Sequence, residues 1–238
     1  MINRYNILAI NSSASSGSIA LAKDGKITQV SYLDVKRTHS ERLMPMIDLA
    51  LKQNNLQVAD LDLICIAIGP GSFTGIRIAM ATAKGLSYSH KIPILPFDNL
   101  SLLAENLFAS ARNRLVMIDA RMGEIYTAFY SKNGKTIISP KNCKPEEILA
   151  EINEPVIIIG DGAEKYYNSI LDSKIDFILA KPHQNLDLAS TMLSYALELD
   201  KIPEYDFEYI AKIEPNYLRK SQAEIEKEKR ENNNLQGK

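Results

Sequence analysis

The feature that most constrains this chain is an apolar run that stops abruptly at a glycine-rich loop. Residues 64–68 are apolar, residues 69–75 contain three glycines and a proline, and the small residues of 79–85 follow. This order predicts a buried strand, a tight loop and a helix. In such a unit the backbone N–H groups at the helix N-terminus can point at an anion, as in phosphate-binding proteins.

The loop nevertheless lacks the residues of the known phosphate signatures. Counted from Gly71, a P-loop requires Gly and Lys at the positions that Ile76 and Arg77 occupy. Counted from Gly69, the dinucleotide fingerprint requires a third glycine where Thr74 stands. The sequence therefore predicts the geometry of a nucleotide loop without either nucleotide code.

Charge and cysteine content exclude several classes of protein. The 238 residues carry a net charge of −1, which gives no broad cationic surface for nucleic acid. Two cysteines cannot build a disulfide framework or a four-thiolate zinc site, and Cys65, inside the apolar run, is expected in the core. No run approaches the ~20 apolar residues of a membrane span, and the N-terminus has no signal-peptide pattern. We therefore expect a cytoplasmic protein that does not bind membranes.

The first part of the chain predicts three antiparallel strands. Apolar strands at 7–10 and 18–23 precede the hairpin signal Asp24-Gly25, and a third strand is expected at 26–35. The strand of the glycine-loop unit, at 61–68, comes later in the chain. This order predicts a sheet that begins with a meander and continues with strands separated by helices.

Two helix starts can be read between and after these strands. Thr38-His39-Ser40-Glu41 fits a capping box. Pro45 conflicts with that start unless the helix is kinked there or begins at Met44. Asp98 or Asn99 can cap a further helix that extends to about residue 109.

The second half of the chain repeats the order of the first. The elements expected there are strands at 115–119, 124–131, 135–139 and 156–159, a hairpin at Asn133-Gly134, and a helix at 187–199. The repeat predicts a duplicated α/β lobe with its boundary near residues 105–113. We assign residues 1–108 to an N-terminal lobe, 109–218 to a C-terminal lobe and 219–238 to a charged tail, which is a solvated helix, a disordered segment or a docking segment.

Four segments carry a resemblance to a known family. They are Ile10–Ser13, Ile68–Arg77, Ile118–Tyr126 and Glu214–Arg219. The duplicated lobes suggest the actin-like, sugar-kinase-type superfamily with its ribonuclease H-like fold. The four segments, in order over roughly residues 5–220, resemble the TsaB (YeaZ) family of the bacterial tRNA threonylcarbamoyladenosine machinery.

The resemblance implies a non-catalytic scaffold or activating subunit. Such a subunit pairs with a TsaD-type catalytic paralogue, which modifies adenosine 37 of tRNA, and a TsaE-type ATPase completes the assembly. It also implies that tRNA is reached through the complex and that a homodimer is possible. The alternatives are a small-molecule kinase of the same superfamily and, less favoured by the residues, a peptidase.

A nucleotide site, if retained from a phosphate-binding ancestor, is expected to be vestigial. Asn11 stands where kinases of the superfamily carry an Asp, and a neutral amide is a poor ligand for a hard cation. The His-x-x-x-His pair with which TsaD holds its metal has no counterpart here, since His39, His90 and His183 are far apart in sequence. We expect this chain to bind no cofactor or metal alone, with ATP and metal on partner subunits. The candidate vestigial residues are Asn11, Ser12, Gly69, Gly71, Ser72, Thr74, Asp119, Gly123, Gly160 and Gly162. Each also suits an ordinary turn.

The helix after the glycine loop predicts a partner interface. Gly75, Ala79 and Ala83 recur every four residues and form a stripe that another helix could approach closely. The alternative is that this stripe packs on the chain's own sheet. By resemblance, TsaB proteins use this helix and the preceding one to bind TsaD or a second copy of themselves. The expected interface residues are His39, Arg42, Met46, Gly75, Ile76, Ala79, Met80 and Ala83. His39 could instead serve only in helix capping.

Overall fold

A computed structural model describes residues 4–14, 16–34 and 39–219, which form two five-stranded sheets with helices on their faces. The strands are β1 (Ile7–Asn11), β2 (Gly17–Lys23), β3 (Lys26–Leu33), β4 (Leu63–Ala67), β5 (Ile94–Phe97), β6 (Asn113–Arg121), β7 (Glu124–Tyr130), β8 (Thr136–Cys143), β9 (Val156–Ile159) and β10 (Phe177–Leu179). The helices are α1 (His39–Gln53), α2 (Phe73–His90), α3 (Asn99–Glu105), α4 (Pro145–Leu149), α5 (Asp161–Lys165), α6 (Tyr167–Ser173), α7 (Ser190–Leu197) and α8 (Phe207–Lys212), with a short 3₁₀ turn at Val58–Asp60.

The first sheet has the strand order β3-β2-β1-β4-β5. Strands β1, β2 and β3 are antiparallel, and β4 and β5 join them in parallel to β1. Asp24 and Gly25 close the β2–β3 hairpin with φ values of 51° and 77°, the left-handed pair that a tight hairpin requires. Both faces of β1 and β4 are covered, which explains why their sequences are continuous apolar runs.

The second sheet repeats this topology. Its order, β8-β7-β6-β9-β10, has the same antiparallel meander and the same two parallel strands as the first sheet. The predicted fold class, two duplicated actin-like, sugar-kinase-type α/β lobes, is therefore confirmed. The element order of the sequence was sufficient to predict it, because each strand of the repeat is an apolar run bounded by turn residues.

Two helices connect the lobes by packing on the sheet of the opposite half. Helix α7 follows the second sheet in the chain, yet its N-cap residue Ala189 and its Met192 and Leu193 pack against β1, β2 and β4 of the first. Helix α3 comes from the first half, and its Leu100 and Leu103 pack against β6, β7 and β9 of the second. The predicted boundary near 105–113 falls between the two sheets, but the packing units extend across it.

Several predicted element limits differ from those observed. Strand β3 ends at Leu33 and not at residue 35, β8 continues to Cys143, and α7 spans 190–197 and not 187–199. Gly160 ends a strand as expected, but Asp161 and Gly162 begin the short helix α5. Hydrogen bonds to neighbouring strands and packing against other elements set these limits, and local sequence signals do not contain that information.

The first helix, α1, contains a proline in its interior. Helix α1 begins at His39 and contains Pro45, so the start predicted from the capping box is compatible with the proline. Thr38, the first residue of that box, and the charged tail from residue 220 onward lie outside the described residues. Cys65 has no exposed surface, as expected of a core residue. Among the helices described, none combines the length and apolarity needed to cross a bilayer.

Candidate functional site

The glycine loop packs against the turn that follows β1. The Ser72 N–H donates to the Ser13 carbonyl oxygen at 2.5 Å, and a Cβ at position 71 would overlap that oxygen. Asn11 holds this turn, because its Oδ1 accepts from the Ser13 N–H at 3.1 Å and from the Ser13 hydroxyl at 2.5 Å. Ser72 also caps α2 by accepting from the Gly75 N–H at 3.3 Å. Some of the backbone N–H groups of the loop thus donate their hydrogen bonds within the protein.

The second lobe has a matching close contact after β9. Gly160 has a φ of 113°, and a Cβ there would overlap the Met117 carbonyl oxygen. A Cβ at Gly162 would lie 2.8 Å from the same oxygen. These glycines have a packing reason that is independent of any ligand, because the chain after β9 crosses directly over β6.

A cleft of about 570 Å³ lies between the lobes. Of the predicted vestigial residues, Gly71, Ser72, Asp119 and Gly160 line it. The other six do not: Asn11, Ser12, Gly69, Thr74, Gly123 and Gly162. Asn11 and Ser12 are buried, Thr74 is exposed on the first turn of α2, and Gly123 lies in the β6–β7 turn. The fold thus brings only some of the predicted vestigial residues together in the cleft.

The cleft is acidic, which suits phosphate groups poorly. Its charged lining residues, within the described part of the chain, are Asp34, Asp119, Arg121, Asp161, Glu164 and Asp187. Five are carboxylates, and the one guanidinium, of Arg121, lies 3.4 Å from an Asp119 oxygen. A polyphosphate placed there without cations would face like charge. Sequence reasoning missed Asp34, Glu164 and Asp187 because they come from distant segments without a shared motif.

Asp119 is held by cations of its own lobe. The Lys165 ammonium donates to both carboxylate oxygens at 2.8 Å, and the Arg121 N–H donates at 3.0 Å. Burial opposes ionisation of this carboxyl, but these hydrogen bonds and the charges of Lys165 and Arg121 outweigh it, and the pKa of Asp119 is lowered. Asp161 completes the group by accepting from the Asp119 N–H at 2.8 Å. The arrangement stabilises the ends of β6 and α5.

Asp187 is a carboxyl of the cleft whose pKa is raised well above its ordinary value. Burial, followed by the negative charge of Asp161, raises the pKa of Asp187 to about 7. A carboxyl with such a pKa is partly neutral at physiological pH. Perturbed acids in clefts are frequent in functional sites, although buried structural carboxyls show the same shift.

The small-residue stripe of α2 faces the chain's own core, which is the alternative stated above. Gly75, Ala79 and Ala83 are buried, and Ala79 and Ala83 pack in one cluster with β1 and β4. The expectation that this stripe lies open to a second helix is therefore wrong for this chain. A helix that crosses a sheet closely needs small residues on its inner face, and α2 uses its stripe for that contact.

The remaining predicted interface residues whose side chains are described are also covered within the chain. Ile76, Met80 and Met46 are buried, and Met80 and Met46 belong to the same cluster as the stripe. Arg42 is buried and donates to the Leu33 carbonyl oxygen at 3.1 Å. The backbone of His39 begins α1, and its side chain is not among those described. Ile76, Met80, Met46 and Arg42 can therefore support an interface from beneath but do not form its surface.

A different face of α1 and α2 is open. On α1, Met44 and Leu49 are 46% and 53% exposed. On α2, Ala81 and Gly85 are exposed, and a Cβ added at Gly85 would meet no atom within 4 Å. Small residues four apart on the exposed face of α2 can be approached closely by another helix, and α1, which packs against α2, adds exposed apolar side chains.

In the part of the chain that the structure describes, no group of three or more His, Cys, Asp or Glu side chains is placed to hold a metal ion. The duplicated sheets, the acidic interlobe cleft and the open helical face together define an actin-like, two-lobed protein. Its glycine loop is packed against the chain's own backbone.

Known proteins similar to this chain belong to the same class and define a family within it. The family described as "TsaD: tRNA N6-adenosine threonylcarbamoyltransferase" matches residues 33–227. The tRNA threonylcarbamoyladenosine biosynthesis protein TsaB of Haemophilus influenzae is 31% identical over 92% of this chain and 95% of its own. The TsaB of Bacillus subtilis is 33% identical over 70% of this chain and 75% of its own.

A solved structure shows the same relationship. The crystal structure of a Pseudomonas aeruginosa protein with similarity to the peptidase YeaZ has a TM-score of 0.72 and 25% identity. The matched region covers 90% of this chain and 100% of the Pseudomonas aeruginosa chain. The chain belongs to the TsaB (YeaZ) family.

Proposed function

We propose that this chain is the non-catalytic scaffold or activating subunit of the system that makes N6-threonylcarbamoyladenosine at position 37 of tRNA. In this proposal it pairs with a TsaD-type catalytic subunit, and a TsaE-type ATPase and the tRNA join through that pair. The open face of α1 and α2 can also pair two copies of this chain. In this proposal the protein acts in the cytoplasm, where its complex meets tRNA.

The observation that carries the proposal is the contrast between this open face and the cleft. Met44 and Leu49 present apolar surface on α1, and the small residues Ala81 and Gly85 are exposed on α2, which packs against α1. The glycine loop, in contrast, gives its Ser72 N–H to the protein's own backbone. A protein with these properties is better equipped to bind a protein surface than to bind a phosphorylated substrate.

The same contrast supports the absence of a cofactor on this chain alone. In this proposal ATP and the catalytic metal belong to the partner subunits. The carboxylates of the cleft oppose a polyphosphate, and Asn11 offers its amide oxygen to Ser13 and so is already occupied.

The proposal is tested by reconstitution with a purified TsaD-type subunit. Leu49→Glu places a charge on the open face and is expected to weaken pairing at least tenfold, measured by light scattering and calorimetry. Leu171→Glu is the matched control, because Leu171 is exposed to a similar degree on α6 of the other lobe. Threonylcarbamoyl transfer should require both subunits. Modification of tRNA by this chain alone, or ATP turnover with a small-molecule acceptor, would overturn the proposal in favour of an enzyme.

A further inference from the structure

The last described segment of the chain, residues 214–219, runs across both lobes. Its four final side chains contact the first lobe and the second in turn. On the first lobe, the Asn216 N–H donates to the Ile68 carbonyl oxygen at 2.8 Å. The Asn216 side-chain amide donates to Asp98, the N-cap residue of α3, at 3.1 Å. We call residues 214–219 the strap.

Tyr217 fixes the strap to the start of α2. Its ring stacks on Phe73 with the centroids 4.0 Å apart and an angle of 4° between the planes. Arg77, one turn further along α2, donates from Nε to the Tyr217 hydroxyl at 2.8 Å. The Arg77 guanidinium also lies over both rings, 5.2 and 5.7 Å from their centroids.

The next two residues attach the strap to the second lobe. Leu218 packs against the cluster that contains Val116 and Tyr126. Arg219 donates to the Ala120 carbonyl oxygen at 3.0 Å and lies 3.4 Å from a carboxylate oxygen of Glu124.

The contacts of Arg219 lie on the β6–β7 turn. Arg121 and Met122 have φ values of 67° and 55°, a region that non-glycine residues adopt at a cost. Arg219 reaches both, with 3.4 Å to the Arg121 carbonyl oxygen and 2.6 Å to the Met122 sulfur. The guanidinium therefore holds a strained turn at the mouth of the cleft, which Arg121 lines.

We propose that the strap is an interlobe lock that couples the start of α2 to the β6–β7 turn. A change of the angle between the lobes has to break either the Tyr217 contacts with Phe73 and Arg77 or the Arg219 contacts with the turn. The lock thereby fixes α2, the helix of the proposed partner-binding face, relative to the cleft. This last consequence rests on the proposed function, whereas the coupling itself does not.

The test is hydrogen exchange of the isolated chain, read at the site that each variant does not touch. Arg219→Ala removes contacts only with the second lobe, and it is expected to raise amide exchange at residues 73–80 about fivefold or more. Tyr217→Ala removes contacts only with the first lobe, and it is expected to raise exchange at 119–124 similarly. Arg112→Ala and Tyr167→Ala are matched controls, since their partners Asp176 and Phe177 lie in the same lobe as they do.

Local effects alone would overturn the lock. If Arg219→Ala loosens only the β6–β7 turn and leaves residues 73–80 unchanged, the strap is two independent contacts. Arg219→Lys and Tyr217→Phe serve if an alanine variant does not fold, as each keeps part of the contact and should give a smaller shift in the same direction. A second measurement compares the affinity of the variants for a TsaD-type subunit. Absence of pairing by the unmodified chain would reject the proposed function while leaving the exchange result valid.

Discussion

The two lobes share a sheet topology but differ in the helices that fill equivalent connections. Between the third and fourth strands the first lobe has α1, of 15 residues, whereas the second has α4, of 5. Between the fourth and fifth strands the first lobe has α2, of 18 residues, and the second has α5 and α6, of 5 and 7. Long helices can bury one face on a sheet and still present another to a partner, so a helical docking face is available mainly in the first lobe.

The lobes also contribute unequally to the charge of the cleft. Asp119, Asp161, Glu164 and Asp187 come from the second half of the chain, and Asp34 comes from the first. The first lobe contributes the glycine loop, and the second contributes most of the negative charge that faces it. The duplicated sheets have thus been kept while the surfaces that meet at the cleft have become different.

The largest expected effect separates the inner and outer faces of α2. Ala79→Glu would bury an unpaired carboxylate in the core of the first lobe, where Ala79 has no exposed surface. We expect a loss of about 3–5 kcal/mol in the free energy of unfolding, measured by urea denaturation. Ala81→Glu, on the exposed face, should change it by less than about 0.5 kcal/mol. Similar stabilities for the two variants would contradict the assignment of the faces.

The close backbone contacts of the two loops should be about equally important. Gly71→Ala and Gly160→Ala would each drive a Cβ into a carbonyl oxygen, of Ser13 and Met117 respectively. We expect each to lower the free energy of unfolding by about 3 kcal/mol. Gly85→Ala, in open space within α2, should instead stabilise the chain by about 0.5–1 kcal/mol. If only one of the two loop variants lost much less than this in the free energy of unfolding, the close backbone contact would matter in one lobe and not in the other.

The acidic asymmetry of the cleft predicts a pH effect. The folded pKa of Asp187 is about 7, above the unfolded value of about 3.9, so stability falls as the pH rises from about 4 to about 7. Asp187→Asn removes this loss. The variant should melt at a higher temperature at pH 8, by about 2–4 °C for each kcal/mol regained, and close to the unmodified chain at pH 4. Asp48→Asn, at an exposed position of α1, is the control.

The smallest expected effect concerns the cations that hold Asp119. Lys165→Met removes the nearest positive charge, so the pKa of Asp119 should rise toward its ordinary value, observed by carboxyl-carbon NMR. Because that pKa is depressed in the folded chain, its stabilising contribution is present above the unfolded pKa and is lost as the pH falls through the folded one. Because Lys165 is exposed to solvent, which screens its charge, the loss of stability at pH 7 should be smaller than in the variants above. Lys201→Met, at a fully surface ion pair, should have no measurable effect.

The sheets could be predicted from the sequence because their strands are marked locally. Strands β1, β4, β6 and β9 are apolar runs that end at turn residues, and the hairpin at Asp24-Gly25 has its own signal. The sequence does not predict the short helices α4, α5, α6 and α8 individually. They span 5 to 7 residues each, too few for a clear helical period.

The site was harder to predict because it depends on which face of an element is covered. Helix α2 has small residues on two faces, Ala79 with Ala83 and Ala81 with Gly85, and spacing alone does not say which face meets the sheet. Four of the five carboxylates of the cleft come from separate segments of the second half of the chain, and Asp34 joins them from the first half, so only the folded structure brings them together. The packing of α3 and α7 on opposite sheets likewise has no signal in the sequence of either helix.

The packing of α7 on the first sheet has a consequence for synthesis of the chain on the ribosome. The face of that sheet that includes Ala9 and Cys65 is covered by Met192, Leu193 and Ala196. These residues emerge only after the whole second sheet has been made. Domains generally fold from the N-terminus during translation. One apolar face of the first sheet therefore stays uncovered until α7 has been synthesised. The first lobe therefore reaches its finished state only when nearly all of the described chain has left the ribosome.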